Sequence, residues 1–263
     1  MQIPHIQGEF CQKEFFIYSA ADKNYFDEFV PALANSIYYN TKHHLHLHLY
    51  NPRSDQLEYC TKREISFTFE EVGVELFLPA GKKYRQNPAN KKIADQKLRI
   101  ETAMKKGGDQ SIEERLQKTY FACARFICLK KNVKNHQKFL AIDVDAIVRS
   151  NLPMLDKKDF FIHHISGRKA RFLAGGLFCT GQHLNFITNY GSILEEHVYN
   201  DEIYWGLDQD VLENLVPNYN WGQLPMEYID WDMRPNSYIW TAKGKRKDLD
   251  IFKLERDKYL KII

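Results

Sequence analysis

The run Phe139-Leu-Ala-Ile-Asp-Val-Asp-Ala-Ile-Val148 sets two carboxylates, Asp143 and Asp145, inside an otherwise apolar segment. Leu140, Ile142 and Val144 alternate with Phe139 and Ala141, which reads as a buried strand. Side chains i and i+2 of a strand share a face and stand about 6.6 Å apart, two rises of roughly 3.3 Å. Two bare carboxylates so placed repel, and the pKa of one rises unless positive charge lies between them. A hard divalent cation with oxygen ligands meets that need. The plainer reading is a pair that only caps a turn at a strand end.

The flanking sequence alternates strand and helix signals. Phe15–Ser19 is a short apolar run, read as a first strand. Asp22 or Asn24 can cap a helix bearing Phe26, Val30, Leu33 and Ile37, with a kink or broken first turn expected from Pro31. Leu45–Leu49 alternates with period two, so His44, His46 and His48 line one face, either chelating a metal or covering a half-buried sheet surface. A further strand is expected at Ile65–Phe69 or Val74–Leu78, and a helix near Ile93–Met104. Ser111-Ile-Glu-Glu114 is a capping box, opening a helix with Leu116, Tyr120, Cys123 and Ile127 on one face. Arg125 falls on the opposite face between Phe121 and Leu129, so it is expected to press on a second packed surface or a site. The class is α/β, with a mostly parallel central sheet and helices on both faces. Ligands in such sheets bind at the carboxyl ends of strands, where Asp22, Asp143 and Asp145 all fall.

The 263 residues allow one large domain or two small ones. A net charge of +3 is too small to point to nucleic acid or a membrane surface. Residues 81–106 hold nine Lys or Arg against Asp95 and Glu101, a local excess of +7: a solvated insertion, or a patch for an anionic acceptor or surface. Five scattered cysteines with no C-x-x-C pair suggest neither zinc nor a disulfide framework. No apolar run reaches the ~18 residues of a membrane span, and Met1–Gly8 has no basic start with an apolar stretch behind it. The expected location is the cytoplasm, with any membrane attachment peripheral or through a partner. No dinucleotide fingerprint or P-loop occurs.

Five segments occur in a telling order: Tyr18-Ser-Ala-Ala-Asp22-Lys-Asn24-Tyr25, Ala124-Arg125, Ile142 to Leu152, Phe172-Leu-Ala-Gly-Gly176, and Asp208-Gln-Asp-Val-Leu212. Together the series resembles the retaining, GT-A-fold glycosyltransferases of family 8, which include glycogenin and bacterial lipopolysaccharide galactosyltransferases. The resemblance implies one GT-A domain over 1–263, with a nucleotide-binding half of about 1–150 and a sugar and acceptor half of about 151–263. It implies that Ala20, Asp22 and Asn24 cradle base and ribose, and that Arg125 braces the base pocket and the aspartate motif. Asp143 and Asp145 would hold Mn²⁺ or Mg²⁺, and Ala174 and Gly175 would lie beside the donor sugar. Asp208 and Gln209 would sit near the anomeric carbon, as the catalytic pair. Lys243, Gly244 and Lys247 would clamp the diphosphate.

Two positions depart from the family. Leu173 stands where the family usually has Asn, so sugar identity does not transfer. Thr241 stands where the family has a metal-binding His; a hydroxyl suits Mg²⁺ or Mn²⁺. Water, or a carboxylate from Asp230-Trp-Asp232, is expected to complete that place. The implied activity is transfer of a sugar, with retention, from a nucleotide-diphosphate sugar such as a UDP-sugar to a hydroxyl of a glycan, lipid-glycan or protein. The acceptor would lie against 156–171 and 81–106. Two other classes compete: a non-catalytic nucleotide-sugar-binding or interaction protein on the same fold, motivated by Thr241 and Leu173, and a haloacid-dehalogenase-type phosphatase. The latter needs a hydroxyl residue where this chain has Ile147.

Overall fold

The structure, a computed structural model, describes residues 2–86, 111–166 and 171–261. Its strands are β1 (Gln7–Gly8), β2 (Phe15–Asp22), β3 (His44–Tyr50), β4 (Ser66–Glu70), β5 (Lys138–Ile142), β6 (Ala146–Val148), β7 (Phe160–Ile165), β8 (Arg171–Cys179), β9 (Trp221–Gln223) and β10 (Ile239–Thr241). Eight of them form one sheet in the order β1-β4-β3-β2-β5-β8-β7-β9, and β6 and β10 form a separate antiparallel ribbon. Strands β4, β3, β2 and β5 run parallel, as do β7 and β9, whereas β8 is antiparallel to both of its neighbours. The sheet is mostly parallel, as the alternating strand and helix signals require.

Both faces are covered. Helices α1 (Lys23–Asn40), α2 (Ser54–Lys62), α3 (Leu78–Gln86), α4 (Ile112–Asn132), α5 (Leu184–Tyr199), α6 (Leu207–Leu215) and α7 (Asp250–Leu260) complete the chain. The period-two alternation of the central strands sorts side chains into two cores. Phe16, Tyr18, Phe139 and Ala141 join α4, α5 and α6 on one face. Ile17, Ala21, Leu140 and Ile142 join α1, α7 and the β6–β10 ribbon on the other. Helix α4 lies between the sheet and α5, with Phe121 stacked on Tyr50 at 4.2 Å and Phe126 against Tyr190 at 4.7 Å. That placement explains a helix apolar nearly all round.

The caps fall where the sequence puts them. Asp22 Oδ1 accepts from the backbone N–H of Asn24 and Tyr25, both at 2.9 Å, and starts α1. Ser111 and Glu114 make the reciprocal box that starts α4. Helix α1 continues through Pro31 to Asn40. Val74–Phe77 is a 3₁₀ turn leading into α3, so of the two places offered for the next strand only Ser66–Glu70 is one. The helix expected near Ile93–Met104, and most of the basic stretch 81–106, lie outside the described residues.

One expectation needs correction. The strand does not run through Asp143 and Asp145: β5 ends at Ile142, residues 143–145 bend, and the chain re-emerges as β6. Asp is a poor strand former, and the bend moves the chain from the large sheet to the ribbon.

The histidine row faces the neighbouring strand. His44 Nε2 and His46 Nδ1 meet Ser66 Oγ at 3.0 and 2.9 Å, while His46 Nε2 and His48 Nδ1 meet Thr68 Oγ1 at 3.3 and 2.9 Å. His48 Nε2 lies 3.3 Å from Glu70 Oε1, and the Tyr120 hydroxyl donates to Glu70 Oε2 at 2.8 Å. His46 and His48 are fully buried, so the half-buried surface expected there is a buried ladder instead. Serine and threonine hydroxyls bridge its imidazoles.

Candidate functional site

Strand order reverses between β2 and β5: the chain moves from β2 outward to β3 and β4, then returns to β5 on the other side of β2. The crevice at the carboxyl ends of two such strands is the usual ligand site of an open α/β sheet. Asp22 closes β2 there, and Asp143 follows β5 directly. Ser19 Oγ donates to the Ile142 carbonyl at 3.0 Å and ties the two strand ends together.

Arg125 organises this crevice. Its Nη1 donates to Asp143 Oδ1 at 2.8 Å, and its Nη2 lies 3.8 Å from Asp208 Oδ2. The arginine side chain is 11 % exposed. Two tyrosines hold the helix that carries it: Tyr18 donates to the Arg125 carbonyl and Tyr50 to the Phe121 carbonyl, each at 2.7 Å. The Tyr190 hydroxyl donates to the Asp208 carbonyl at 2.9 Å. The surface or site expected beside Arg125 is therefore made of two of the predicted carboxylates. Asp208 is also the second residue of α6, where the helix dipole favours an anion.

Asp145 has a different partner. Lys247 Nζ stands 2.9 Å from its Oδ2 and donates to the Tyr25 hydroxyl at 2.8 Å. Gly244, with φ +68, takes the left-handed conformation that starts the turn carrying Lys247. Thr241 pairs across the ribbon with Ala146, and the Ala242 N–H donates to the Asp145 carbonyl at 2.9 Å. The predicted positions Asp143, Asp145, Thr241, Lys247 and Asp208 thus converge, although they come from three separate segments. Lys243 is near enough to act on both Asp143 and Asp208.

The charges are uneven. Burial pushes Asp145 up, and the neighbouring Asp143 pushes it further, against the pull of Lys247. Burial also works upward on Asp143, but Arg125 outweighs it and holds that carboxyl below its ordinary value. Asp208 is raised, chiefly by burial, with Arg125 opposing. Burial would lower Lys247, yet Asp145 and Tyr25 keep it above the usual lysine value.

Gly175 admits the Asp143 carboxylate. A Cβ there would stand 2.3 Å from Asp143 Oδ2, closer than any side chain could tolerate. Ala174 beside it is buried on β8. Gln209 Oε1 accepts from Arg171 Nη1 at 3.1 Å, a contact the sequence did not suggest. Tyr50 and Tyr190 carry no signal in the sequence, whereas Tyr18 and Tyr25 bound the segment around Asp22. Ala20 is half-buried on β2 at the crevice, and Asn24 is exposed at the start of α1.

Asp230 does not serve the site. Its Oδ1 accepts from Asp232 N–H, and its Oδ2 accepts from Arg234 N–H, Arg234 Nε and the Ser237 hydroxyl. That carboxylate is committed to its own loop, which removes it as a stand-in for the missing histidine. Ile147 is buried in β6 opposite Trp240, which is no place for the phosphatase's hydroxyl.

Two buried oxygens of the site lack any hydrogen-bond partner: Asp145 Oδ1 and Thr241 Oγ1. Both are hard donors, the kind Mg²⁺ or Mn²⁺ prefers. Among the described residues no three His, Cys, Asp or Glu side chains gather into a metal cage. A site of one or two carboxylates completed by substrate phosphate oxygens is the usual Mg²⁺ arrangement, and these residues fit it.

By sequence, no family model and no curated protein matches this chain. Solved structures do. The bifunctional glycosyltransferase WbbM superposes with TM-score 0.57 at 12% identity, over 97% of this chain and 51% of WbbM. It folds as glycosyltransferases do. The galactosyltransferase LgtC, solved with donor and acceptor sugar analogues, gives TM-score 0.52 at 14% identity over 92% of this chain and 95% of LgtC. The glycosyltransferase GlyE of Streptococcus pneumoniae TIGR4 gives 0.55 at 12% identity over 94% of this chain. The chain spans about half the length of WbbM and 60% of GlyE. No helix among the described residues is long and apolar enough to cross a membrane.

Proposed function

We propose that this chain is a glycosyltransferase that moves a sugar from a nucleotide-diphosphate sugar, a UDP-sugar in the simplest case, to a hydroxyl acceptor with retention at the anomeric carbon. The observation that carries the reading is Arg125, which reaches both Asp143 and Asp208 at the switch point of the sheet. One arginine thus couples the proposed diphosphate end to the proposed sugar end. The nucleotide-binding half is about 1–150, and the sugar and acceptor half about 151–263.

The reaction develops negative charge on the departing diphosphate and positive charge on the sugar ring. When bound, Mn²⁺ or Mg²⁺ held by Asp143, Asp145 and Thr241 neutralises part of the diphosphate charge. Lys243 and Lys247 supply fixed cations to the same oxygens, and Gly244 sets the turn that presents them. Preorganised charges of this kind are commonly the largest single contribution to rate. Asp208 and Gln209 face the proposed sugar position. Arg171 anchors the Gln209 carbonyl oxygen and leaves its amide N–H groups to point at the sugar. Ala174 and Gly175 keep room beside the ring, while Ala20, Asp22 and Asn24 line the base and ribose. The acceptor is a glycan, lipid-glycan or protein hydroxyl.

A thermal-shift series with nucleotide sugars tests the binding half of this reading. A true donor at 100 times its Kd adds about 2.7 kcal/mol of stability. A flat response across UDP-, GDP-, ADP- and CDP-sugars, with Mn²⁺ present, would sink it. Thr241 and Leu173 also favour a second reading, donor binding without transfer. A stabilising donor that is neither transferred nor hydrolysed selects that one.

A further inference from the structure

Lys247 is firmly held by partners within this chain. Its ammonium lies 2.9 Å from Asp145 Oδ2 and donates to the Tyr25 hydroxyl at 2.8 Å. It also lies 4.2 Å from the Tyr25 ring centroid and 4.9 Å from that of Phe29, within cation–π range. The lysine side chain is 18 % exposed and that of Asp145 9 %, so water screens the pair little. Arg125 meanwhile serves Asp143. Each carboxylate of the pair already owns a cation from this chain.

The free ion therefore meets a poor site. Six or more oxygens are what a hard divalent ion seeks, whereas the buried oxygens without a partner there are two, Asp145 Oδ1 and Thr241 Oγ1, beside Asp143 Oδ2, to which Arg125 Nη1 does not donate. To take Asp145 fully, the ion must strip Lys247 away and leave a part-buried ammonium unpaired, which is strongly unfavourable. A diphosphate removes both obstacles: it brings oxygens for the ion and an anionic partner for Lys247. Lys243, Lys245 and Arg246 on the same turn make no ion pair among the described residues, so they are ready for that charge.

We infer that Lys247 sits in the cation position of Asp145, so that the site accepts a divalent ion as its chelate with a nucleoside diphosphate and not as the free ion. This rests on the glycosyltransferase reading for the identity of the chelate. It makes Lys247 a determinant of which form of the ion binds, and not only a clamp on phosphate. By linkage, the ion and the nucleotide raise each other's affinity by the same factor.

The test is a Mn²⁺ titration followed by loss of the free-ion paramagnetic resonance signal, on the whole chain, with and without uridine diphosphate. Wild-type protein should bind Mn²⁺ at least tenfold more tightly with the nucleotide than without it. Lys247→Met should bind the free ion at least tenfold more tightly than wild type, and should lose most of the nucleotide-dependent gain. Tyr25→Phe, which removes only the hydroxyl, should shift free-ion affinity the same way by less. Lys253→Met, on α7 and outside the site, is the control for net charge and should change it little. Equal free-ion affinity in wild type and Lys247→Met overturns the inference, as do equal gains in Lys247→Met and Lys253→Met. If uridine diphosphate gives no thermal shift with or without Mn²⁺, the nucleotide reading fails instead. The free-ion comparison between variants still decides the place of Lys247.

Discussion

Two buried polar systems lie on either side of Tyr18, and they are built to opposite rules. Between β3 and β4, three imidazoles, two hydroxyls and Glu70 form a ladder in which no buried side-chain nitrogen or oxygen lacks a partner. At the end of β5, Asp145 Oδ1, Thr241 Oγ1 and Arg125 Nε are buried and unpartnered. A satisfied network rigidifies a core, whereas an unsatisfied buried group costs stability unless something else repays it. The first region is closed upon itself. The second leaves two oxygens and one N–H of its own side chains unused.

The largest effects should come from breaking the incomplete region. Asp145→Asn should lower transfer by about 10³-fold, the scale of losing a key electrostatic group. It should change the melting temperature little: burial and Asp143 disfavour the ionised Asp145 carboxylate, so its removal offsets the loss of a partner for Lys247. Steady-state transfer assays beside calorimetry check both halves. A variant that keeps its rate, or that melts well below wild type, breaks the contrast.

Arg125→Met attacks both functions at once. It leaves Asp143 and Asp208 without their shared cation, and should cost about 3–5 kcal/mol in denaturant unfolding, the usual result of orphaning a buried charge. Arg125→Lys keeps the charge but not the two-pronged reach, so it should recover stability better than it recovers turnover.

Thr68→Val tests the ladder. It orphans a nitrogen on each of His46 and His48 and should cost about 1–3 kcal/mol. The rate per folded molecule should stay unchanged, and a falling rate would show that the two regions are coupled.

The most gradual effect is a pH slope. Burial, helped by His48 and His44, holds His46 well below its ordinary value of 6.5. The unfolded chain takes up that proton near pH 6.5 and the folded one does not. The stability is therefore fully present above pH 6.5 and is lost as pH falls below it. His48 runs the other way, pushed up to about 10: burial works against the shift, but Cys128 and Glu70 outweigh it. Its contribution is full below pH 6.5 and fades as pH rises towards 10. Unfolding free energy should thus fall on both sides of neutrality, and His46→Gln should flatten only the acid side.

Much of the fold was legible because it depends on local rules. The apolar run at 15–19, the period-two runs at 45–49 and 65–69, and the caps at Asp22 and Ser111 each specify an element through neighbours a few residues away. The alternation of those elements then forces a parallel sheet covered on both faces. The bend at 143–145 was missed because an apolar run with two acids fits a continuous strand equally well. Val74–Phe77 was misplaced for a similar reason, since four residues carry too little period to separate strand from 3₁₀ turn. The site residues were legible as types in order, not as partners. Nothing near Asp230 announced that it would be consumed by its own loop, nothing near Arg171 that it would meet Gln209, and nothing near Arg125 that it would reach Asp208 as well as the aspartate motif.

The sequence by itself determined the layered α/β architecture, the caps and the order of the candidate motifs, because hydrophobic period and capping chemistry act over one or two turns of chain. Tertiary structure alone decided which charges meet. Lys247 and Tyr25 stand 222 residues apart, yet share a hydrogen bond. Whether a buried aspartate is satisfied, repelled or left waiting depends on the groups packed within a few ångströms, and the turn at Gly244 and the crossing of α4 bring those groups from distant segments. The same acidic pair would have been a plain cap on another fold. Here the bend after Ile142 turns it towards a lysine, an arginine and an unpartnered threonine.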